Sequence, residues 1–250
     1  MQFIVPNWPA PPGVHAAFTL RAGGVSLPPY QSLNLGAASG DSTEAVNENR
    51  RRVRQAIRWP VEPMWLEQVH GVEVISLNDL SGPPTSPPRA DAAVGGRGAG
   101  VCAIRVADCL PVLFAARDGS VVGAAHAGWR GLAGGVLQAT IQRLGVAPSR
   151  LMAWLGPAIG PQNFEVGEDV RVAFCSIDAG AEVAFTPNAR GRWQCDLYAL
   201  ARRKLAAVGL EEIYGGGWCT YADARRFFSY RRDGQTGRMA ALIWSEGESA

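Results

Sequence analysis

The apolar runs of this chain are short, rich in Val, Ile, Phe and Trp, and each stops at glycine, proline or a polar turn. GVCAIRVADCLPVLFAA (residues 100–116), SVVGAAHA (120–127) and LMAWLGPA (151–158) are the clearest, with PMWLEQVH (63–70) ahead of them. Runs of this kind between breakers read as strands, so the chain must build sheet and find cover for it. RFFSYRR and RMAALIW, joined through DGQTG, read as a hairpin. Helical signals are fewer. Asp41 followed three residues later by Glu44 makes a capping box for EAVNENRRRVRQAI, with Val46, Val53 and Ile57 on its apolar face and its arginines on the solvated one. A second helix starts near Trp129 and runs through LAGGVLQATIQRL, and a third follows Asp196 as N-cap, with Leu197, Leu200, Leu205 and Val208 as its stripe. The class is mixed α and β. SGPPTSPPR (81–89) is a proline-rich loop, GGRGAG (95–100) a turn, and no repeat of fixed period occurs. A chain of 250 residues should bury about 70–75% of its unfolded surface, so one domain over 1–250 is expected.

Composition removes several functions. Of the 24 basic residues one is a lysine, Lys204, inside ARRKL, so no Walker P-loop and no kinase strand lysine can be written, and Lys204 reads as a solvated helix residue. A net charge of +2 gives no reason to expect a nucleic acid partner. MQFIVPNWPAPPG is broken by prolines and carries no basic residue before an apolar run, and no stretch reaches the roughly 18 apolar residues of a membrane span. The five cysteines, Cys102, Cys109, Cys175, Cys195 and Cys219, form no C-x-x-C and no even disulfide set, which fits reduced thiols in the cytoplasm. G-x-S-x-G and H-E-x-x-H are both missing. Nothing in the sequence sets the oligomeric state.

Chemistry-bearing residues stand at the ends of the strand-like runs. His70 closes WLEQVH, Cys109 closes CAIRVADC and His126 closes VVGAAH. Strand ends are where rigid backbone presents side chains to a loop-lined space. Two imidazoles and a thiolate with a vacant fourth position are the donor set of a catalytic zinc, which would bring the pKa of a bound water toward neutrality. Their spacing matches no local metal motif, so the residues alone leave open the alternative of a buried small Cys109 and two satisfied core histidines. Asp108 needs a partner if buried, and orients a neighbour, faces a ligand or relays a proton. In HAGWRGLAGG a helix start and Arg130 together suggest a place for phosphate. In the loops RAGGVS and YQSLNLG, Arg21 and Asn34 are candidates for substrate contact.

RAGGVS, YQSLNLG, EAVNENRRRV, QVHG, ADCLPVLF, GAAHAGWRG, LGPAIGPQNFEVGEDV and FFSYRRDGQTGR, in this order, resemble the laccase-domain family over residues from about 20 to 245. That family was first called polyphenol oxidase and later purine nucleoside phosphorylase or peptidoglycan editing factor. The resemblance implies a mixed-sheet α/β/β/α sandwich, similar to the catalytic domain of cytotoxic necrotising factor. It implies zinc on His70, Cys109 and His126. The implied activities are phosphorolysis of adenosine, inosine and methylthioadenosine, deamination of adenosine, and in some bacterial members editing of cell-wall precursors. The older name fails on counting: a multicopper oxidase needs about ten histidines and the chain has three. A single blue copper with Met64 or Met152 as axial ligand stays formally open.

The leading expectation is a zinc-dependent purine nucleoside enzyme acting on nucleoside and phosphate. Against it stand a Cys–His hydrolase of a peptidoglycan precursor, with Cys109 as nucleophile and His126 as base, and a non-catalytic purine-binding or metal-holding module.

Overall fold

A computed structural model describes residues 1–58, 62–82 and 84–247. In chain order the elements are β1 (Phe3–Ile4), β2 (Val14–Thr19), α1 (Thr43–Ala56), β3 (Met64–Trp65), β4 (Val74–Ser76), β5 (Ala92–Gly96), β6 (Cys102–Val106), β7 (Leu110–Ala116), β8 (Val121–Ala127), α2 (Trp129–Gly134), α3 (Val136–Leu144) and β9 (Leu151–Leu155). There follow β10 (Glu165–Val166), α4 (Glu168–Cys175), β11 (Phe185–Pro187), β12 (Trp193–Cys195), α5 (Leu197–Ala207), β13 (Glu212–Gly215), α6 (Tyr230–Asp233) and β14 (Met239–Ser245). Among the described residues these strands make a sheet ordered β1-β2-β14-β6-β3, a sheet ordered β13-β9-β7-β8-β5-β4 and a small sheet β10-β12-β11. The two large sheets are mixed and the small one antiparallel, an α+β architecture.

The strand GVCAIRVADCLPVLFAA is two strands in two sheets: β6 lies in the first and β7 in the second, with Ala107, Asp108 and Cys109 crossing between them. The alternation of each strand shows why both remain apolar throughout. Ile104, Val106, Leu113 and Ala115 meet between the sheets with Phe18, Trp154, Met239 and Ile243. Leu110, Val112 and Phe114 face Leu132, Leu137, Ile141, Leu200 and Leu205 of the helices on the far side. Ala103, Ala240 and Leu242 face Val53 of α1 together with Leu33 and Leu35. A strand buried on both faces loses the polar alternation of a solvated one.

Several expectations are corrected here. Ser42, not Asp41, caps α1, its hydroxyl accepting from the Ala45 N–H, while Asp41 accepts from the Asn34 side chain. Arg50 does not lie on a solvated face: it donates to the Leu35 carbonyl and stacks on Trp65. The Trp129 helix breaks at Gly135, whose φ of 100° ends α2 before α3 begins. Only Met64–Trp65 of PMWLEQVH pairs as strand, so His70 stands in a loop. RFFSYRR is not a hairpin arm: Phe227 and Phe228 are fully buried in the intersheet core, and Ser229 caps α6 by accepting from Arg232 N–H. Lys204 is half-buried, with Nζ donating to Ala133 O and lying 5.8 Å over Phe174, and burial lowers its pKa. Asp196 caps α5 as expected, accepting from Tyr198 and Ala199. Of the proline-rich segment, Pro83 lies outside the described residues, as do 248–250 at the end of the expected domain. Among the described residues no helix is long and apolar enough to cross a membrane.

Candidate metal centre

The site stands at one end of the β13-β9-β7-β8-β5-β4 sheet, and register explains how distant residues meet there. Leu110 pairs with Ala127 and Pro111 with His126, which sets Cys109, one residue before β7, beside the end of β8. Ala92 pairs with Ala125, so Asp91, one residue before β5, sits opposite His126, whose backbone N–H it accepts at 2.7 Å. Because β4 runs parallel to β5, the loop QVHG that feeds β4 arrives at the same edge.

Asp91 organises that edge. Its fully buried carboxylate accepts from the N–H groups of Val69, His70 and Gly71 at 3.1, 2.9 and 2.7 Å, and from His126 Nδ1 at 2.8 Å. These bonds hold His70 at a φ of 61°, a left-handed conformation few side chains adopt unaided. They also leave Nε2 of His126 as the atom free to accept or bind, the usual arrangement behind a metal-ligating imidazole. Burial works against the carboxylate charge, but His126 and the Gly71 and Val69 N–H groups outweigh it, so Asp91 titrates below its ordinary range. Asp91 was missed in the sequence; an acid between two apolar strands, in RADAAV, is the signal that marks it.

His70, Cys109 and His126 each offer a ligand atom, all within 4.8 Å of one another, a group that could hold a metal ion. Zinc bonds of about 2.3 Å to sulfur and 2.0–2.1 Å to nitrogen at a tetrahedral angle put two donors about 3.6 Å apart. Cys109 Sγ and His70 Nε2 are 3.8 Å apart, so the donors fit a single ion. Burial would raise the Cys109 thiol, but the charge and hydrogen bond of His126, then His70, bring it down to about 6. Burial would lower His126, but the Cys109 thiolate and Asp91 raise it to about 9. Thiolate on Cys109 and imidazolium on His126 therefore each favour the other in the metal-free cluster. Two glycines permit the closeness. A Cβ on Gly128 would lie 3.0 Å from both Cys109 Sγ and His70 Cδ2, and one on Gly131 2.8 Å from the Gly71 carbonyl. Met64 and Met152 pack in the intersheet core, and neither lines the cavity in front of the cluster, so neither is placed as the axial methionine of a blue copper.

That cavity, about 500 Å³, opens in front of the cluster and is bounded by Gln68, Arg105, Tyr230 and Arg238 among others. Beyond Cys109 a smaller chamber of about 130 Å³ is lined by Trp129, Ile159, Phe164, Leu197 and Tyr230. Of the remaining sequence candidates, Asp108 lines the smaller chamber and the others lie elsewhere. Asp108, at a φ of 94°, has one carboxylate oxygen on Thr220 Oγ1 at 2.6 Å and the other on the Arg231 N–H at 2.7 Å, so it fixes the crossing between the sheets. Arg21 is spent on the carbonyls of Gln31 and Ala224 and lies over Phe228. Asn34 is fully buried, donating to Ser39 and Asp41 and accepting from the N–H groups of Gly36 and Arg238. Arg130 is exposed, stacked on Trp129 at 4.3 Å, and does not line the cavity.

A family model described as multi-copper polyphenol oxidoreductase laccase matches residues 15–246. The purine nucleoside phosphorylase YfiH of Escherichia coli (strain K12) is 53% identical over 243 residues, 97% of this chain and 98% of its own. The purine nucleoside phosphorylase PA4543 of Pseudomonas aeruginosa is 51% identical, with the same shares covered. Among solved structures, the Neisseria meningitidis protein NMB0706 superposes with a TM-score of 0.93 at 50% identity, over 99% of this chain and 100% of that one. YlmD from Geobacillus stearothermophilus gives 0.83 at 32% identity, over 94% and 93%.

Proposed function

The chain belongs to the multi-copper polyphenol oxidoreductase laccase family, and from that premise we propose that it is a purine nucleoside phosphorylase of one domain that holds zinc on His70, Cys109 and His126. The copper in the family's description does not suit this donor set: three histidines cannot furnish a four-copper site. What carries the reading is the His70–Cys109–His126 cluster between the 500 Å³ cavity and the apolar chamber, in a chain 53% identical to a purine nucleoside phosphorylase. A cavity of that size is in the ordinary range for a small organic ligand.

Zinc bound there would supply Lewis acidity to an oxygen of substrate or phosphate. The protein's own groups do the rest. Asp91 fixes the His126 ring, and through the QVHG backbone it fixes His70, so the donors need no reorganisation on binding. The walls of Trp129, Phe164 and Tyr230 suit the faces of a purine ring. In phosphorolysis a phosphate oxygen bonds to the anomeric carbon of the ribose while the bond from that carbon to the purine nitrogen breaks. Its electron pair leaves with the base, which takes a proton from water. Adenosine, inosine and methylthioadenosine are the expected substrates, with deamination of adenosine at the same centre, in the cytoplasm.

Zinc-loaded protein given adenosine should release adenine only when phosphate is present, and His126→Ala should abolish that release. Neither adenine nor inosine from fully loaded protein would overturn the reading. A second reading is favoured by one observation, the Asp91–His126–Cys109 relay with its lowered thiol. It resembles the nucleophile, base and orienting acid of a cysteine hydrolase, and would suit an amide of a cell-wall precursor. Activity that survives a chelator, with an acyl adduct on Cys109, would put it first.

A further inference from the structure

Arg105 and Arg238 face the cavity from one side of the β1-β2-β14-β6-β3 sheet. Ala240 pairs with Arg105 and Met239 with Val106, so the residue before β14 falls beside the end of β6. In β6, Ile104 and Val106 point between the sheets, and in β14 Met239 and Ala241 do; Arg105, Ala240 and Arg238 therefore share the opposite face.

Neither guanidinium has an acid. Among the described residues every ion pair involves other groups, and the bonds these two make are to carbonyls: Arg105 Nη2 to Leu66, Arg238 Nη1 to Thr236 and Gly237. Arg105 Nε is buried with no partner at all. Burial and the charge of Arg238 push the Arg105 pKa down, and burial does the same to Arg238, though the charges of Cys109 and Asp108 oppose it. Both side chains are nonetheless built into place. The Gln68 amide brackets the Arg105 backbone, donating to its carbonyl and accepting from its N–H, each at 2.9 Å. Asn34 Oδ1 accepts from the Arg238 N–H at 2.8 Å, and Gly36 leaves room for the stem, since a Cβ there would lie 2.7 Å from Arg238 Cγ. Two like charges, partly desolvated and held toward one cavity, are costly unless an anion joins them.

We propose that Arg105 and Arg238 form an oxyanion subsite whose ligand is inorganic phosphate, in the cavity that the metal cluster also lines. The pair rests on the nucleoside reading for the use of that phosphate and not for its binding. Planar forks suit phosphate, and two of them hold its charge as an oxygen bonds to the sugar. Asn34 becomes a positioning residue for Arg238.

The test is phosphate titration of the full-length, zinc-loaded protein by calorimetry without nucleoside, followed by initial rates against phosphate and against adenosine. Arg238→Gln should weaken phosphate binding and raise the phosphate KM by about 10- to 100-fold, leaving the adenosine KM within about twofold. Arg105→Lys, which keeps the charge and loses the fork, should fall between, and Arg51→Gln on the surface of α1 should match wild type. Circular dichroism of each variant guards against misfolding. Phosphate affinity that falls in Arg130→Gln but not in Arg238→Gln or Arg105→Lys overturns the pair, even if adenine is released. Phosphate binding that depends on both arginines in a protein that never cleaves adenosine upholds the pair and removes the nucleoside reading instead.

Discussion

Asp91 and the Arg105–Arg238 pair are charges at the same end of the molecule, on different sheets, with opposite surroundings. Asp91 is fully buried and receives N–H bonds from Val69, His70, Gly71 and His126. The arginines are half-buried and hydrogen-bond only to backbone carbonyls, with one buried nitrogen unbonded. A buried polar group whose partners are all internal fixes a geometry; one whose partners are missing is disposed to take a ligand. The difference separates the part of the cavity that is scaffold from the part that is receptor.

The largest expected effect breaks that contrast directly. Asp91→Ala strands three backbone N–H groups and the His126 ring, and should cost about 3–5 kcal/mol in urea unfolding along with most of the bound zinc. Arg238→Gln, removing a charge that has no acid partner, should stay within about 0.5 kcal/mol of wild type in the same assay. Comparable losses from both would mean the arginine is as much scaffold as the aspartate.

How much of this was legible follows the same division. His70, Cys109 and His126 all end apolar runs of the sequence, and Cys109 and His126 meet because β7 and β8 are hairpin neighbours, a pairing their turn makes plain. The sequence pattern has His70 closing a strand, whereas it sits in a loop held by Asp91, a contact 21 positions away along the chain that no local pattern encodes. Arg105 is hidden by alternation: between Ile104 and Val106 it reads as an ordinary solvent-facing strand residue, and only Gly36, Ala38 and Ser39, which line the same cavity, make its face a cavity wall. Arg130, by contrast, drew notice because Gly and a helix start precede it, yet α2 ends at Gly134 and the side chain lies on Trp129. RFFSYRR failed as a strand because its two phenylalanines are adjacent and both are buried in the intersheet core, which a strand with alternating faces cannot do.

A smaller change sharpens the scaffold side. Gly128→Ala puts a methyl 3.0 Å from Cys109 Sγ and His70 Cδ2 without touching a hydrogen bond of Asp91. The donors must spread by a few tenths of an ångström, so zinc affinity should fall about 10- to 100-fold in competition with a chelating dye, while thermal unfolding of the metal-free protein moves little. An unchanged affinity would show that the cluster has slack, and that its closeness is not what the glycine secures.

The smallest perturbation is a proton, and it compares Cys109 with the two buried thiols. In the metal-free protein, the Cys109 pKa of about 6 keeps the thiolate populated at neutral pH, while burial pushes Cys102 and Cys195 up to about 12. Carbamidomethylation of Cys109 should therefore rise between about pH 5 and 7 and level off, and Cys102 and Cys195 should stay unmodified in the folded protein. Linkage gives a companion expectation. Folded Cys109 carries one proton fewer than unfolded between about 6 and 9, which raises stability with pH; folded His126 carries one proton more between about 6.5 and 9, which lowers it. Over the shared window folded and unfolded forms each hold one proton on the pair, so the two slopes cancel and the pair adds no pH dependence to unfolding there. Replacing Cys109 by Ser removes the thiol's slope and, with the thiolate, the largest of the contacts that raise His126. The variant should not show a stabilisation by His126 at pH 8.5, since the thiolate that raised the imidazole is gone, whereas Asp91 still holds the ring. An alkylation midpoint near 9 in the wild-type apoprotein would mean a neutral thiol beside a neutral imidazole, and with it the loss of the ion pair on which the hydrolase reading depends.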